Sequence, residues 1–121
     1  MAVILIVDDS PTELHLFQNM LQKNGFETLI ADSGEEAIRQ AQLAHPDCIL
    51  MDVVMPGMNG FQATRKLTRD PGTSRIPVIM ITTKDQETDK IWGMRQGAAE
   101  YLVKPVAEKQ LVEKINAVMA A

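Results

Sequence analysis

Long apolar stretches are missing from this chain. None approaches the roughly 20 residues that a helix needs to cross a bilayer. A basic leader with a small-residue cleavage site is also missing, because Met1-Ala2 runs straight into a strand-like segment. A cytoplasmic location with no membrane insertion is therefore expected. The single cysteine, Cys48, excludes an internal disulfide, and its place inside an apolar run makes it a buried structural thiol. The only histidines, His15 and His45, have no Cys or carboxylate ligand pattern around them and read as ordinary helix residues. Aromatics make up 4% of the chain, which leaves aliphatic side chains and eight methionines to fill the core. Positive charge is short too. Twelve Lys and Arg against 16 Asp and Glu leave a net charge of −4, which argues against nucleic acid as the main partner. What remains is an ordinary globular composition, 45% hydrophobic and 23% charged, in 121 residues. That length suits one domain, 1–121, and not two.

Strand-like and helix-like patterns alternate from end to end. Strands are expected at 2–7, 27–31, 48–51, 77–81 and 99–103. Helices are expected at 11–24, 33–45, 60–69, 84–96 and 108–120, from apolar residues three to four apart. The inward stripes are Leu14, Phe17 and Leu21; Ala37, Ile38, Ala41 and Ala44; Phe61, Thr64 and Leu67; and Leu111, Ile115 and Val118. Ser10-Pro11-Thr12-Glu13 supplies an N-cap Ser, a Pro at the first helical position and a Glu to close a capping box. Ser33-Gly34-Glu35-Glu36 repeats the box, and Gly25 marks a helix stop. The order βαβαβαβαβα implies a parallel sheet covered by helices on both faces. Runs 2–7, 48–51 and 77–81 are the most apolar and should be central, whereas 27–31 and 99–103 carry Glu27, Thr28, Glu100 and Tyr101 and suit the edges. The expected fold is therefore α/β, a flavodoxin-like doubly wound five-stranded parallel sheet of order 2-1-3-4-5 with five helices.

Four of the five strands end on a polar stop of chemical interest. Asp8-Asp9 follows AVILIV, Asp52 follows CILM, Thr82 follows VIMI, and Lys104-Pro105 follows YLV. In open α/β sheets, sites form beyond the carboxyl ends of the strands. Taken singly, each stop has an ordinary reading: a capped turn, a loop carboxylate, a helix cap, a solvated lysine. Their occurrence together at successive strand ends favours one site. Asp8, Asp9 and Asp52 would repel one another unless a cation sat among them. Magnesium suits them, since it takes one or two carboxylates, keeps waters and leaves room for a phosphoryl oxygen. Asp52 is the candidate nucleophile, able to form an aspartyl-phosphate beside the open Met55–Gly60 loop. Lys104 would neutralise phosphoryl charge, turned into the site by a cis bond to Pro105, and the Thr82 hydroxyl would donate to a phosphoryl oxygen.

With ILIVDDSP, ILMDVVMPGMNG, PVIMITT and YLVKP in this order, the chain resembles the receiver domains of two-component response regulators, the CheY-like family, from Val3 to about Met119. Within it, MPGMNGFQATRKLT and TTKDQETDKIWGMRQGA resemble stand-alone regulators of type IV pilus twitching motility. The resemblance implies a monomeric switch with no output domain. Asp52 would accept a phosphoryl group from a sensor histidine kinase or phosphotransfer domain. Asp9, Asp52 and the Val54 carbonyl would ligate Mg2+, for which Mn2+ can substitute, with Asp8 acting through a water. Lys104 would pair with the phosphoryl oxygens, Thr82 would move toward them, and Tyr101 would change rotamer in step. The helix after Thr82, the last strand and the last helix would then present an altered surface to a downstream protein effector.

Two positions depart from the family pattern. Thr83 stands where the family has Ala or Gly, and Val54 has no polar group to orient an attacking water, so slow self-dephosphorylation is expected. Helix 84–96 opens polar and contains Gly93, with Ile91 and Met94 as its inward anchors. It is expected to be mobile and to tighten on phosphorylation, with Trp92 serving either packing or partner contact. Three other functions compete. A flavodoxin-type flavin binder would need an anion loop where acidic Asp8-Asp9 stands. A haloacid-dehalogenase-like phosphohydrolase would need a second Asp where Val54 stands. A phosphate sink would share the chemistry and drain a kinase without a strong output partner.

Overall fold

The computed structural model describes residues 1–121. The five strands are β1 (Val3–Val7), β2 (Glu27–Ala31), β3 (Cys48–Met51), β4 (Val78–Thr82) and β5 (Glu100–Val103). The five helices are α1 (Pro11–Lys23), α2 (Gly34–Ala44), α3 (Gly60–Arg69), α4 (Glu87–Arg95) and α5 (Glu108–Ala120). All strand pairs are parallel and the order is β2-β1-β3-β4-β5, as composition predicted. The central strands β3 and β4 are buried at every position, while β2 and β5 each expose residues at the sheet edges. No helix is long and apolar enough to cross a membrane.

Alternate strand residues face opposite layers. Ile4, Ile6, Leu50, Ile79 and Ile81 pack with Leu14, Phe17 and Leu21 of α1 and with Leu111 and Ile115 of α5. Leu5, Val7, Ile49, Met51 and Val78 pack with Ala37 and Ala41 of α2 and with Ala63 and Leu67 of α3. The small alanines on the second face let α2 and α3 lie close to the sheet. Cys48 is fully buried, and burial pushes its thiol up to about 12, so it is an inert core residue.

The register sets up the strand ends. Val7 pairs with Met51, so Asp8 and Asp52, the next residue of each chain segment, lie side by side. The Asp52 amide donates to the Val7 carbonyl at 3.0 Å and extends the ladder by one step.

Several expectations need correction. Strand β4 runs one residue further than predicted, so Thr82 is its last member, and α4 starts only at Glu87. The α4 anchors are wrong: Ile91, Trp92 and Met94 are 46%, 47% and 43% exposed, and Gly93 is the helix's buried residue. The reason is close approach. A Cβ on Gly93 would lie 2.8 Å from Met80 Sδ and 3.0 Å from Tyr101 Cδ2. Ala44, placed inward from its spacing, is exposed because the chain turns away at His45, the left-handed cap at φ 47°.

Ser10 and Ser33 do cap α1 and α2, accepting from the Glu13 and Glu36 amides. Neither glutamate closes its box, because a cation takes each carboxylate: Lys104 holds Glu13 at 3.0 Å, and Arg39 holds Glu36 at 2.6 Å. The full box occurs instead at α3, between Asn59 and Gln62.

Gly60 and Gly93 differ in what an added methyl would meet. At Gly60 it would collide with the Asp52 backbone carbonyl, whereas at Gly93 it meets a flexible thioether and a ring. We expect Gly60→Ala to cost about 3 kcal/mol or more and Gly93→Ala about 1–2 kcal/mol, read by chemical denaturation. Equal costs would show that the backbone contact at Gly60 relaxes freely.

Candidate functional site

The ends of β1, β3 and β5 and the first turn of α1 bring three carboxylates around one ammonium, with a fourth, Asp9, beside them. Lys104 Nζ lies 3.0 Å from Asp8 Oδ2, 3.0 Å from Glu13 Oε1 and 3.8 Å from Asp52 Oδ2. One oxygen each from Asp8, Asp9 and Asp52 fall within 4.8 Å of one another. Asp8 is almost completely buried, and its second oxygen accepts from the Ser10 amide at 2.9 Å. Asp52 Oδ1 accepts from the Val53 amide at 2.8 Å, which fixes the carboxylate and leaves Oδ2 facing Lys104. Asp9 is exposed and opens onto a cleft of about 430 Å³ that Asp32 and Glu36 also line. The Lys104–Pro105 bond is cis. Lys104 Nζ lies over the Phe17 ring of α1, 6.0 Å from its centroid, the outer limit of a cation–π contact.

Charge is unbalanced here. Three carboxylates, Asp8, Glu13 and Asp52, face one lysine and Asp9 adjoins two of them, so the ionised cluster carries −4 + 1 = −3. Burial, then the Asp8 charge, pushes Asp52 up to about 6, with Lys104 and the Val53 amide only partly offsetting them. Burial alone would pull Lys104 down. Its hydrogen bonds to Asp8 and Glu13 and the charge of Asp52 outweigh that, and its pKa is raised. The oxygen-only donor set, its spacing and its excess negative charge fit a hard divalent cation.

Thr82 and Tyr101 converge on one residue that the sequence did not single out, Lys84. The fully buried Thr82 accepts from the Lys84 amide through Oγ1 at 3.2 Å, and Tyr101 donates its hydroxyl to the Lys84 carbonyl at 2.8 Å. Burial, then the charges of Asp89 and Asp85, pushes Tyr101 up to about 12 and keeps it a donor. The Lys84 side chain reaches Asp89 at 3.6 Å. Val54 points outward, 59% exposed, in the loop between β3 and α3. Glu13 was also missed as a site residue, since its position three after Ser10 explained it as a cap partner. Gly60 was missed as well; its amide donates to Val53 at 2.9 Å and clamps the Asp52 loop onto α3.

A carboxyl raised in the folded state binds protons more tightly there than in the unfolded chain. Ionised Asp52 therefore destabilises the cation-free fold above about pH 6, and this penalty fades as pH falls from 6 to 4. We expect Asp52→Asn to raise stability at pH 7.5 by about 1–2 kcal/mol, discounted for partial solvation, and to lose that advantage near pH 4. Thermal melts across pH without divalent cations measure it; an advantage independent of pH would assign the effect to packing.

Comparisons with known proteins agree with this geometry. The response regulator receiver domain family matches residues 4–116. The chain is 60% identical over 120 residues to Protein PilH of Pseudomonas aeruginosa, covering 99% of each. It is 40% identical over 115 residues to Response regulator PleD of Caulobacter vibrioides, covering only 25% of that longer protein. Among solved structures, a response regulator from Chloroflexus aurantiacus superposes with TM-score 0.94 at 33% identity, covering 99% of this chain and 98% of that one. The chemotaxis protein CheY4 of Vibrio cholerae gives TM-score 0.91 at 35% identity, covering 98% of both chains. The flavin-binding and phosphohydrolase alternatives are not favoured: carboxylates occupy the place of an anion loop, and Val54 stands where the hydrolase needs an acid. Acid cluster, lysine, Thr82–Tyr101 pair, sheet order and sequence agreement converge, and the chain belongs to the response regulator receiver domain family.

Proposed function

We propose that this receiver is a phospho-accepting switch whose acceptor is Asp52. The observation that carries the reading is the Asp52 carboxylate at the end of β3, held by the Val53 amide with its other oxygen facing Lys104 among Asp8 and Asp9. A carboxylate oxygen of Asp52 attacks the phosphorus of a phosphohistidine on a sensor kinase or phosphotransfer domain. The P–N bond breaks, its electron pair stays on the imidazole, and an acyl phosphate forms. Lys104 already lies within ion-pair reach of Asp52, so its ammonium offsets charge on the transferred group. Bound Mg2+, or Mn2+ in its place, would supply further positive charge, with Asp9, Asp52 and the Val54 carbonyl as ligands and Asp8 acting through a water. The protein's catalysis is confined to its own phosphorylation and the slow loss of that group.

Signal transfer follows from Lys84. Its amide and carbonyl are bound by Thr82 and Tyr101, so a Thr82 hydroxyl recruited to the phosphoryl group releases the Lys84 amide and loosens the hold on Tyr101. The segment leading into α4 then shifts. Ile91, Trp92, Met94 and Val103 are exposed large apolar residues in this region, which favours a downstream protein effector over a phosphate sink. The 60% identity to PilH supports an output in type IV pilus twitching motility.

Incubation with Mg2+ and acetyl phosphate should add one phosphate-sized mass, retained in Thr82→Ala and lost in Asp52→Ala. A gain that survives Asp52→Ala would overturn the assignment. Val54 offers no polar group to an attacking water, so Val54→Asn should shorten the phosphoryl lifetime roughly tenfold, below the ~10²-fold of a full general base. An unchanged lifetime would reject that role. Hydrogen exchange over 84–96, with and without a phosphate mimic, should differ between the states; equal protection would remove α4 from the switch.

A further inference from the structure

A second charged feature lies away from the acceptor. Gly57, Met58, Gln62, Arg65, Lys66 and Arg69 line an open groove of about 540 Å³ along α3. Arg65, Lys66 and Arg69 are exposed, and none of them forms an ion pair, in a chain whose net charge is −4. Favourable placement in the last turn accounts for Lys66 and Arg69 in isolation. It does not account for Arg65, nor for three cations converging on one groove beside a half-buried methionine. The nearest acids are engaged or peripheral. Asp70 is held by Gln42 and the Gly72 amide, and Glu35 reaches only the Gly57 end.

We propose that this groove docks an acidic, helical segment of a partner protein, at a surface separate from the exposed apolar residues of α4. Gln62, Arg65 or Lys66, and Arg69 lie on successive turns, spanning about 10 Å at 1.5 Å per residue. Carboxylates three or four residues apart on a facing helix match that repeat. Guanidinium groups of Arg65 and Arg69 can each take a carboxylate through two parallel hydrogen bonds. Met58, unbranched and polarisable, gives an adaptable floor for one apolar side chain between the acids. The shallow, open form suits a helix lying along α3 better than a small molecule, which needs most of its surface enclosed. The groove is also tied to the acceptor: Gly57 and Met58 belong to the loop that starts at Asp52 and is clamped at Gly60.

The test uses the full chain labelled for NMR and a synthetic helical peptide with glutamates at i and i+4 flanking a leucine. A scrambled peptide of the same composition, ADP and anionic phospholipid vesicles serve as the other probes. Saturable shifts confined to 57–69, with the scrambled peptide at least about tenfold weaker, are expected. The double variant Arg65→Glu/Arg69→Glu should lose binding by a similar factor and regain it for a peptide with lysines in place of the glutamates. Acetyl phosphate should still phosphorylate that variant, which shows that it is folded. Equal binding of the scrambled peptide, tighter binding of ADP or vesicles, or no saturable binding would each overturn the proposal.

Discussion

Lys104 is the one cation in a cluster of four carboxylates, three of which it contacts, and the consequences of that imbalance run through the molecule. Pairing of Val7 with Met51 forces Asp8 and Asp52 together whatever their mutual repulsion. Hydrophobic burial of two central strands sets the register, and the carboxylates follow it. The site thus holds negative charge that a bound cation would offset. A surface group at the same spacing would be solvated and indifferent; here burial raises Asp52 to about 6 and makes its charge state matter.

Beyond the charged cluster, neutral hydrogen bonds tie the strand ends to the segment before α4. Thr82 and Tyr101 lie on neighbouring strands, and both bind the backbone of Lys84. The chain therefore runs from the end of β4 through Lys84 to α4 within a few residues. That helix is held by contact instead of by side-chain anchors. Gly93 sits against Met80 and Tyr101, and the helix's large apolar residues point outward. A helix seated on a glycine, beside a buried tyrosine, has little burial energy to resist displacement.

Much of the fold was legible in the sequence, because strand order follows from which runs are wholly apolar and which carry polar residues. Asp8, Asp9, Asp52 and Lys104 were legible as a group because each interrupts an apolar run at a strand end. Glu13, Lys84 and Gly60 were not. Glu13 carried a sufficient local explanation as a capping partner, and only the arrival of Lys104 from the far end of the chain diverted it. Lys84 matters through backbone atoms, which a residue type does not report. The inward face of α4 was misread for a related reason: spacing identifies apolar residues, but Gly93 is buried by steric demand.

The sequence by itself determined the alternation of elements, the identity of the central strands and the residue types available at their ends, since these depend on local pattern and hydrophobicity. Tertiary structure alone decided which acid pairs with Lys104, which way α4 faces and how the α3 cations converge beside Met58. Those outcomes depend on distances between residues far apart in the chain, and they are fixed only when the helices settle on the sheet. The polar strand ends are a property of the sequence; the unbalanced charge they enclose is a property of the fold.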